Sequence, residues 1–362
     1  MGVSPAGPAA PASGRAATGA APGQVAQAAL PVALVLAAAV SVQFGAGIAS
    51  KLFAQVPPAS VTTLRLWAAA VVMIAIGGRG AVRELRAVAA RRAWGDALAT
   101  GAFGVVLAVM NFAIYQSFAR IPLGIAVTTE FLGPLVVAIA GARRRASVAW
   151  VVLAAAGVLL LAGGSGGHLN RAGVGWALVA GAGWASYILL SKAIGQRLAG
   201  NSGLVVAMTV AAAVVTGPGV AAGGKAIFRP SLLRDGLALG VLSSALPYWL
   251  ELEALRRVPA KVFGVWMSLQ PAVAAIIGLL MLGQRLSAAE WTGIGCVVIA
   301  SAGAARSGSG ATASDSAAAS DSAAANNSAA ANDSAANDSA AKDMATASGD
   351  APGGTGAGGR RA

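Results

Sequence analysis

The sequence predicts an all-α polytopic membrane protein whose ten transmembrane helices form two inverted five-helix repeats. Three observations carry this. Of 362 residues, 57% are hydrophobic and only 11% are charged, and the mean hydropathy is +0.71, values typical of a chain that lives in lipid. Ten apolar segments are each about as long as the ~20 residues needed to cross a hydrocarbon core. Finally, Arg120-Ile121-Pro122, followed twelve residues later by Pro134, recurs as Arg257-Val258-Pro259, followed twelve residues later by Pro271. Each half holds five segments, an odd number, so the two copies must enter the membrane with opposite polarity, the plan of many secondary transporters.

Residues 1–28 are expected to form a disordered N-terminal tail. They are mostly Ala, Pro and Gly with one basic residue, Arg15, and lack the basic run before a short apolar core that marks a cleaved signal peptide. The apolar segments then run over 29–50, 59–77, 95–118, 123–141, 147–163, 172–194, 203–221, 235–255, 260–282 and 287–305. The fifth is short, and Gly217-Pro218-Gly219 is expected to end the seventh. The first repeat covers 29–167 and the second 168–305. Residues 306–362 repeat small polar words such as Asn332-Asp333-Ser334-Ala335-Ala336, which bury too little surface to offset their ordering entropy, so this segment is read as a disordered tail.

The repeat extends beyond the prolines. Ser50-Lys51 closes the first segment as Ser191-Lys192 closes the sixth, Asp96 and Asp235 open the third and eighth, and Trp150 and Trp291 begin the fifth and tenth. The offsets stay between 137 and 141 residues, so the halves align with small gaps.

Charge sets the orientation. The formal net charge is +13, but Lys and Arg fall in short clusters between apolar runs, which fits positive-inside topology and not nucleic-acid binding. The second, fourth, sixth and eighth loops hold thirteen basic residues, among them Arg79, Arg83, Arg143 and Arg256, whereas the odd loops hold seven. Both termini are therefore expected in the cytoplasm of a multi-pass inner (plasma) membrane protein. One cysteine, Cys296, and one histidine, His168, exclude an intrachain disulfide and leave no Cys/His metal cluster. No cofactor is expected.

An ionisable group inside a span costs about 2.5–3.5 kcal/mol on insertion scales, so each needs a reason. Glu130 lies mid-way along the fourth segment, and Pro134 removes the donor for the Glu130 carbonyl. A carboxyl group beside a freed carbonyl suits a proton or an ammonium group; the alternative is a protonated glutamic acid tying two helices together. Pro271 does the same to the carbonyl of Met267, so the helix breaks are symmetric while the charge is not. Plain packing kinks are the alternative. Glu251 lies near the end of the eighth segment and is read as a cavity residue or a snorkelling carboxylate, while Glu253 has Arg256 and Arg257 within one turn. Arg65, seven residues into the second segment, calls for Glu130 or a substrate carboxylate as its partner, or else snorkels. Asn111, Tyr115, Thr128, Thr129, Tyr187, Ser243, Ser244, Tyr248, Trp266 and Ser268 complete a polar and aromatic cavity. Intramembrane hydrolysis would need a Ser/His pair, paired mid-span aspartates or a metal set; His168 sits in a loop and the aspartates at segment ends, so an enzyme is not expected.

The run Asn111-Phe112-Ala113-Ile114-Tyr115, then Arg120-Ile121-Pro122-Leu123-Gly124, then Glu130-Phe131-Leu132-Gly133-Pro134, resembles the EamA-type drug/metabolite transporters, in particular the bacterial threonine/homoserine exporter group. Leu246-Pro247-Tyr248-Trp249-Leu250-Glu251 and Met267-Ser268-Leu269-Gln270-Pro271 resemble the second-half signature. The resemblance covers about residues 29–305. It implies a ten-helix transporter with a cavity lined mainly by the third, fourth, eighth and ninth spans, exporting small amino acids by proton antiport through alternating access. Gln270 and Gln284 stand where many relatives are expected to carry an acid. The expected partners are a small-molecule substrate, protons and the lipid bilayer, with monomer and homodimer both open and nucleic acid excluded. Another metabolite, drug or sugar derivative as cargo, or a non-transporting assembly subunit, remains the alternative.

Overall fold

A computed structural model describes residues 22–140, 146–164, 170–195, 197, 202–255 and 257–306; most of both expected tails, His168 and Arg256 lie outside them. Among the described residues every regular element is helical. The ten apolar segments become α1 (Pro22–Leu52), α2 (Pro58–Ala90), α3 (Trp94–Phe118), α4 (Leu123–Glu130) with α5 (Leu132–Ala140), α6 (Ala146–Gly164), α7 (Arg171–Gly195), α8 (Ser202–Gly223), α9 (Pro230–Gly240) joined by a π turn (Val241–Ala245) to α10 (Leu246–Leu255), α11 (Ala260–Met267) with α12 (Gln270–Leu282), and α13 (Ala288–Arg306). Eight are long and apolar enough to cross a membrane by themselves, counting each kinked pair α4–α5 and α11–α12 as one. The remaining two are the short α6 and the segment divided by the π turn.

Three boundaries differ from expectation, each for a local reason. Helix α1 begins at Pro22, ahead of residue 29, with proline at its first position, where the missing N–H is no loss. Helix α2 runs on to Ala90 despite Gly78 and Gly80, carried by the Ala, Arg, Glu and Leu residues from Ala81 onward, until Arg92 turns left-handed at φ 53°. There the N–H of Ala93 donates to the Val88 carbonyl and that of Arg92 to the Ala89 carbonyl, a Schellman stop. Pro218 does not end α8. The hydroxyls of Thr63 and Ser60 on α2 donate to the carbonyls of Val215 and Gly219, each at 2.8 Å, supplying donors on either side of the proline.

The contact pattern repeats when the halves are exchanged. Helix α3 packs on α7 and α8, as α9, the π turn and α10 pack on α1 and α2. Helices α2 and α8 face each other, as do α4 and α12. A Cβ on Gly157 of α6 would come within 2.7 Å of the Gly293 carbonyl oxygen on α13, and one on Gly293 equally close to the Gly157 oxygen. These reciprocal pairs describe a pseudo-two-fold arrangement in which small residues let backbones touch.

Both proline-marked spans break at matching places. Helix α4 stops at Glu130, one residue before Phe131, and α11 stops at Met267, before Ser268 and Leu269. At the first break α7 lies directly on the backbone: a Cβ on Gly133 would overlap the Gly181 carbonyl, and one on Gly181 would sit 2.8 Å from the Glu130 carbonyl oxygen. Gly133→Ala should therefore lower thermal stability by about 1–3 kcal/mol, whereas Gly101→Ala, with open space around the added methyl, should be neutral or stabilising. Equal melting temperatures for the two variants in detergent would contradict this packing.

Candidate functional site

A cavity of about 260 Å³ lies between the two halves, slightly below the roughly 300–1,000 Å³ of drug-sized sites and suited to a small solute. The third and eighth spans supply much of its wall, as the resemblance implied, but α1, α2 and α7 also reach it through Gln43, Arg65 and Trp184.

Arg65 is its most constrained charge. The guanidinium donates to Asn111 Oδ1 at 2.7 Å and to the Ser243 carbonyl at 3.2 Å. Its Cζ also lies 5.5 Å from the ring centre of Tyr115, within cation–π range. Asn111 is itself fixed, because its Nδ2 donates to the Leu107 carbonyl at 2.9 Å. The Ser243 carbonyl is available because Pro247, four residues on, has no N–H to give it. The π turn around it leaves a second carbonyl, that of Leu242, which accepts from Ser41 Oγ at 2.7 Å. Arg65 Nε is buried and has no partner among the described residues. The Nε–H is thus idle while the two terminal nitrogens anchor the group.

Of the partners considered for Arg65, Glu130 does not pair with it directly: among the described residues no ion pair joins them. Arg65 is instead occupied by Asn111 and the π turn. Glu130 ends α4, is only 9% exposed and lines the same cavity. Its equivalent in the other half, Met267, lines it too, so the matching breaks present one carboxyl group and one thioether. Glu251 lines the cavity from α10, whereas Glu253 pairs with Arg257. Asp96 and Asp235 lie away from the cavity and pair with Arg197 and Arg234.

Tyr115 is 1% exposed and packs between Phe53 and Phe118. Tyr187 lines the cavity and stacks on Phe103 at 5.3 Å. Ser243 and Ser244 line it as well. Other expected residues fall outside the wall. Thr128, Thr129 and Ser268 spend their hydroxyl donors on the carbonyls of Gly124, Ile125 and Val265, and none lines the cavity. Trp266 is half-buried and does not line the cavity. Pro134 and Pro271 shape the breaks and lie outside the lining. The side chain of Tyr248 lies outside the described residues.

Sequence reasoning overlooked Gln43 and Pro247, both cavity residues. Pro247 carries the same signal as Pro134 and Pro271, since a proline four residues after Ser243 frees that carbonyl in the same way. Gln284, on the other side of the second break, leaves α12 through Gly283 at φ 66° and accepts the Leu123 N–H at 2.9 Å, which caps α4 from the opposite half.

Asn111→Ala removes a hydrogen bond to a charged group and should cost about 1.5–3 kcal/mol of stability. Thermal unfolding of purified protein tests this; an unchanged transition would mean that Asn111 does not hold Arg65.

The pattern of the EamA-like transporter family matches residues 171–306. The threonine/homoserine exporter RhtA of Escherichia coli (strain K12) is 38% identical over 277 residues, 76% of this chain and 91% of that protein. The protein of the same name from Salmonella typhimurium (strain LT2) matches to the same extent. The uncharacterized transporter YwfM of Bacillus subtilis (strain 168) is 31% identical over 153 residues, 41% of this chain and 52% of its own length.

Proposed function

This chain belongs to the EamA-like transporter family, and on that premise we propose that it exports small amino acids of the threonine/homoserine kind by proton antiport. The observation that carries the reading is the cavity's pair of unmatched groups: Arg65 with an unpartnered Nε, and Glu130, whose carboxyl group forms no ion pair among the described residues. A zwitterion completes both, its carboxylate taking Arg65 and its ammonium taking Glu130. The same carboxyl group takes a proton when the solute has left, so proton and ammonium compete for one site. Glu251, further along the cavity wall, relays the proton toward the cytoplasmic end. Alternating access follows from the two halves rocking about the α4–α12 and α2–α8 contacts, with both termini in the cytoplasm of the cell membrane.

Energetically, one proton entering as one neutral solute leaves moves one charge through the membrane, worth ~2.3 kcal/mol per 100 mV of potential. The sequence similarity supports the exporter class and the cargo. The opposed charges support a zwitterion over an uncharged sugar derivative.

Proteoliposomes holding purified protein and L-threonine, with an imposed pH gradient, test the proposal. Wild type should accumulate threonine against its gradient in step with the pH difference, and Glu130→Gln should abolish that coupling while the protein still purifies as a folded species. Coupled accumulation that persists in Glu130→Gln would overturn the assignment of Glu130. The absence of any threonine movement in wild type would overturn the cargo.

A further inference from the structure

The pseudo-two-fold relation exposes a second asymmetry in the cavity, apart from the two charges. At an offset of 137 residues Gly133 corresponds to Gln270, and at 141 Trp184 corresponds to Gln43. At the first break the pair is apolar: Gly133 lies on the Gly181 backbone, and Trp184 meets Phe131 edge-on at 4.8 Å. At the second break the corresponding positions are two amides, and both line the cavity.

These amides are buried and poorly satisfied. Gln43 is 2% exposed and Gln270 6%. Gln43 Nε2 donates to Gln270 Oε1 at 3.4 Å, a long bond. Gln270 Nε2 reaches only the Met267 sulfur, at 3.6 Å, a weak acceptor. Gln43 Oε1 has no partner among the described residues. Buried amide oxygens are normally paired, and leaving one idle is costly. The terminal amide torsion is soft, so a small rotation turns this oxygen to a ligand in the cavity.

A hydroxyl group both donates and accepts. It therefore satisfies an idle amide oxygen and a loosely held amide N–H together, whereas an ammonium finds no anion here, a carboxylate meets a facing oxygen, and a methyl group leaves the oxygen stranded. We infer that Gln43 and Gln270 form the subsite that recognises the side-chain hydroxyl of the transported amino acid and sets the preference for hydroxylated over apolar side chains of the same size. The inference rests on the amino-acid transport reading above and assigns the specificity of that same cavity to two residues outside its charged pair.

Threonine and valine differ by a hydroxyl in place of a methyl, so uptake of each into proteoliposomes by counterflow reads the subsite directly. Wild type should favour threonine by about tenfold or more, because a site built for a hydroxyl rejects the analogue that lacks it. Gln43→Leu and Gln270→Met should each reduce the threonine-to-valine ratio by about tenfold, mainly through loss of threonine uptake. A wild-type ratio near one overturns the inference while leaving amino-acid transport standing, and an unchanged ratio in both variants overturns it equally. If one variant fails to fold, the other and the wild-type ratio still decide. Transport of neither solute by wild type overturns the underlying reading instead.

Discussion

A guanidinium in the interior of a membrane bundle must be given partners, and the arrangement around Arg65 is organised by that requirement. Asn111 of α3 and the Ser243 carbonyl of the π turn hold it from two directions. Satisfying one buried charge thereby joins α2, α3 and the eighth span at a common point. The π turn is part of the same solution. Pro247 withdraws a donor from the helix, the turn presents two carbonyls, and Arg65 and Ser41 take them. An intrahelical defect becomes an interhelical bond, and Arg65 Nε is left without a partner among the described residues.

Around this point the bundle is held by small residues more than by large ones. In lipid there is no hydrophobic drive between helices, so close backbone approach and hydrogen bonds must bring them together. Gly133 against Gly181, Gly157 against Gly293, and Gly219 and Gly223 against the hydroxyls of Thr63 and Ser60 show the same device at three interfaces. Two of these interfaces, α2–α8 and α6–α13, join a helix to its own repeat counterpart. The scaffold is therefore symmetric at those two interfaces and asymmetric where it faces the cavity, with Glu130 against Met267 and Gln43 against Trp184.

Much of this was legible in the sequence. The recurring Arg-x-Pro words and their trailing prolines located both helix breaks, because a missing backbone donor acts locally and needs no knowledge of neighbours. Glu130 and Arg65 stood out because charge in an apolar run is costly wherever it points. The fate of Thr128, Thr129 and Ser268 was not legible, since a hydroxyl on a membrane helix can bond its own preceding turn or face a cavity, and the residue type is the same in either case. Gln43 was passed over because one uncharged amide in a span raises little alarm until its partner, 227 positions away, is seen beside it. That Asn111 and the Ser243 carbonyl hold Arg65 was not legible for a related reason: composition shows which charges exist, but not which backbone carbonyl a proline releases beside them.

The central claim is that Arg65, pre-positioned by Asn111 and the π turn, receives the carboxylate of a zwitterion whose ammonium lies at Glu130. A structure of the protein with L-threonine bound tests it most directly. The account predicts the carboxylate oxygens within hydrogen-bond reach of Arg65 Nε, with the Asn111 and Ser243 contacts intact and the amino group beside Glu130. Threonine bound in the reverse sense, or outside this cavity with Arg65 Nε still without a partner, would contradict it.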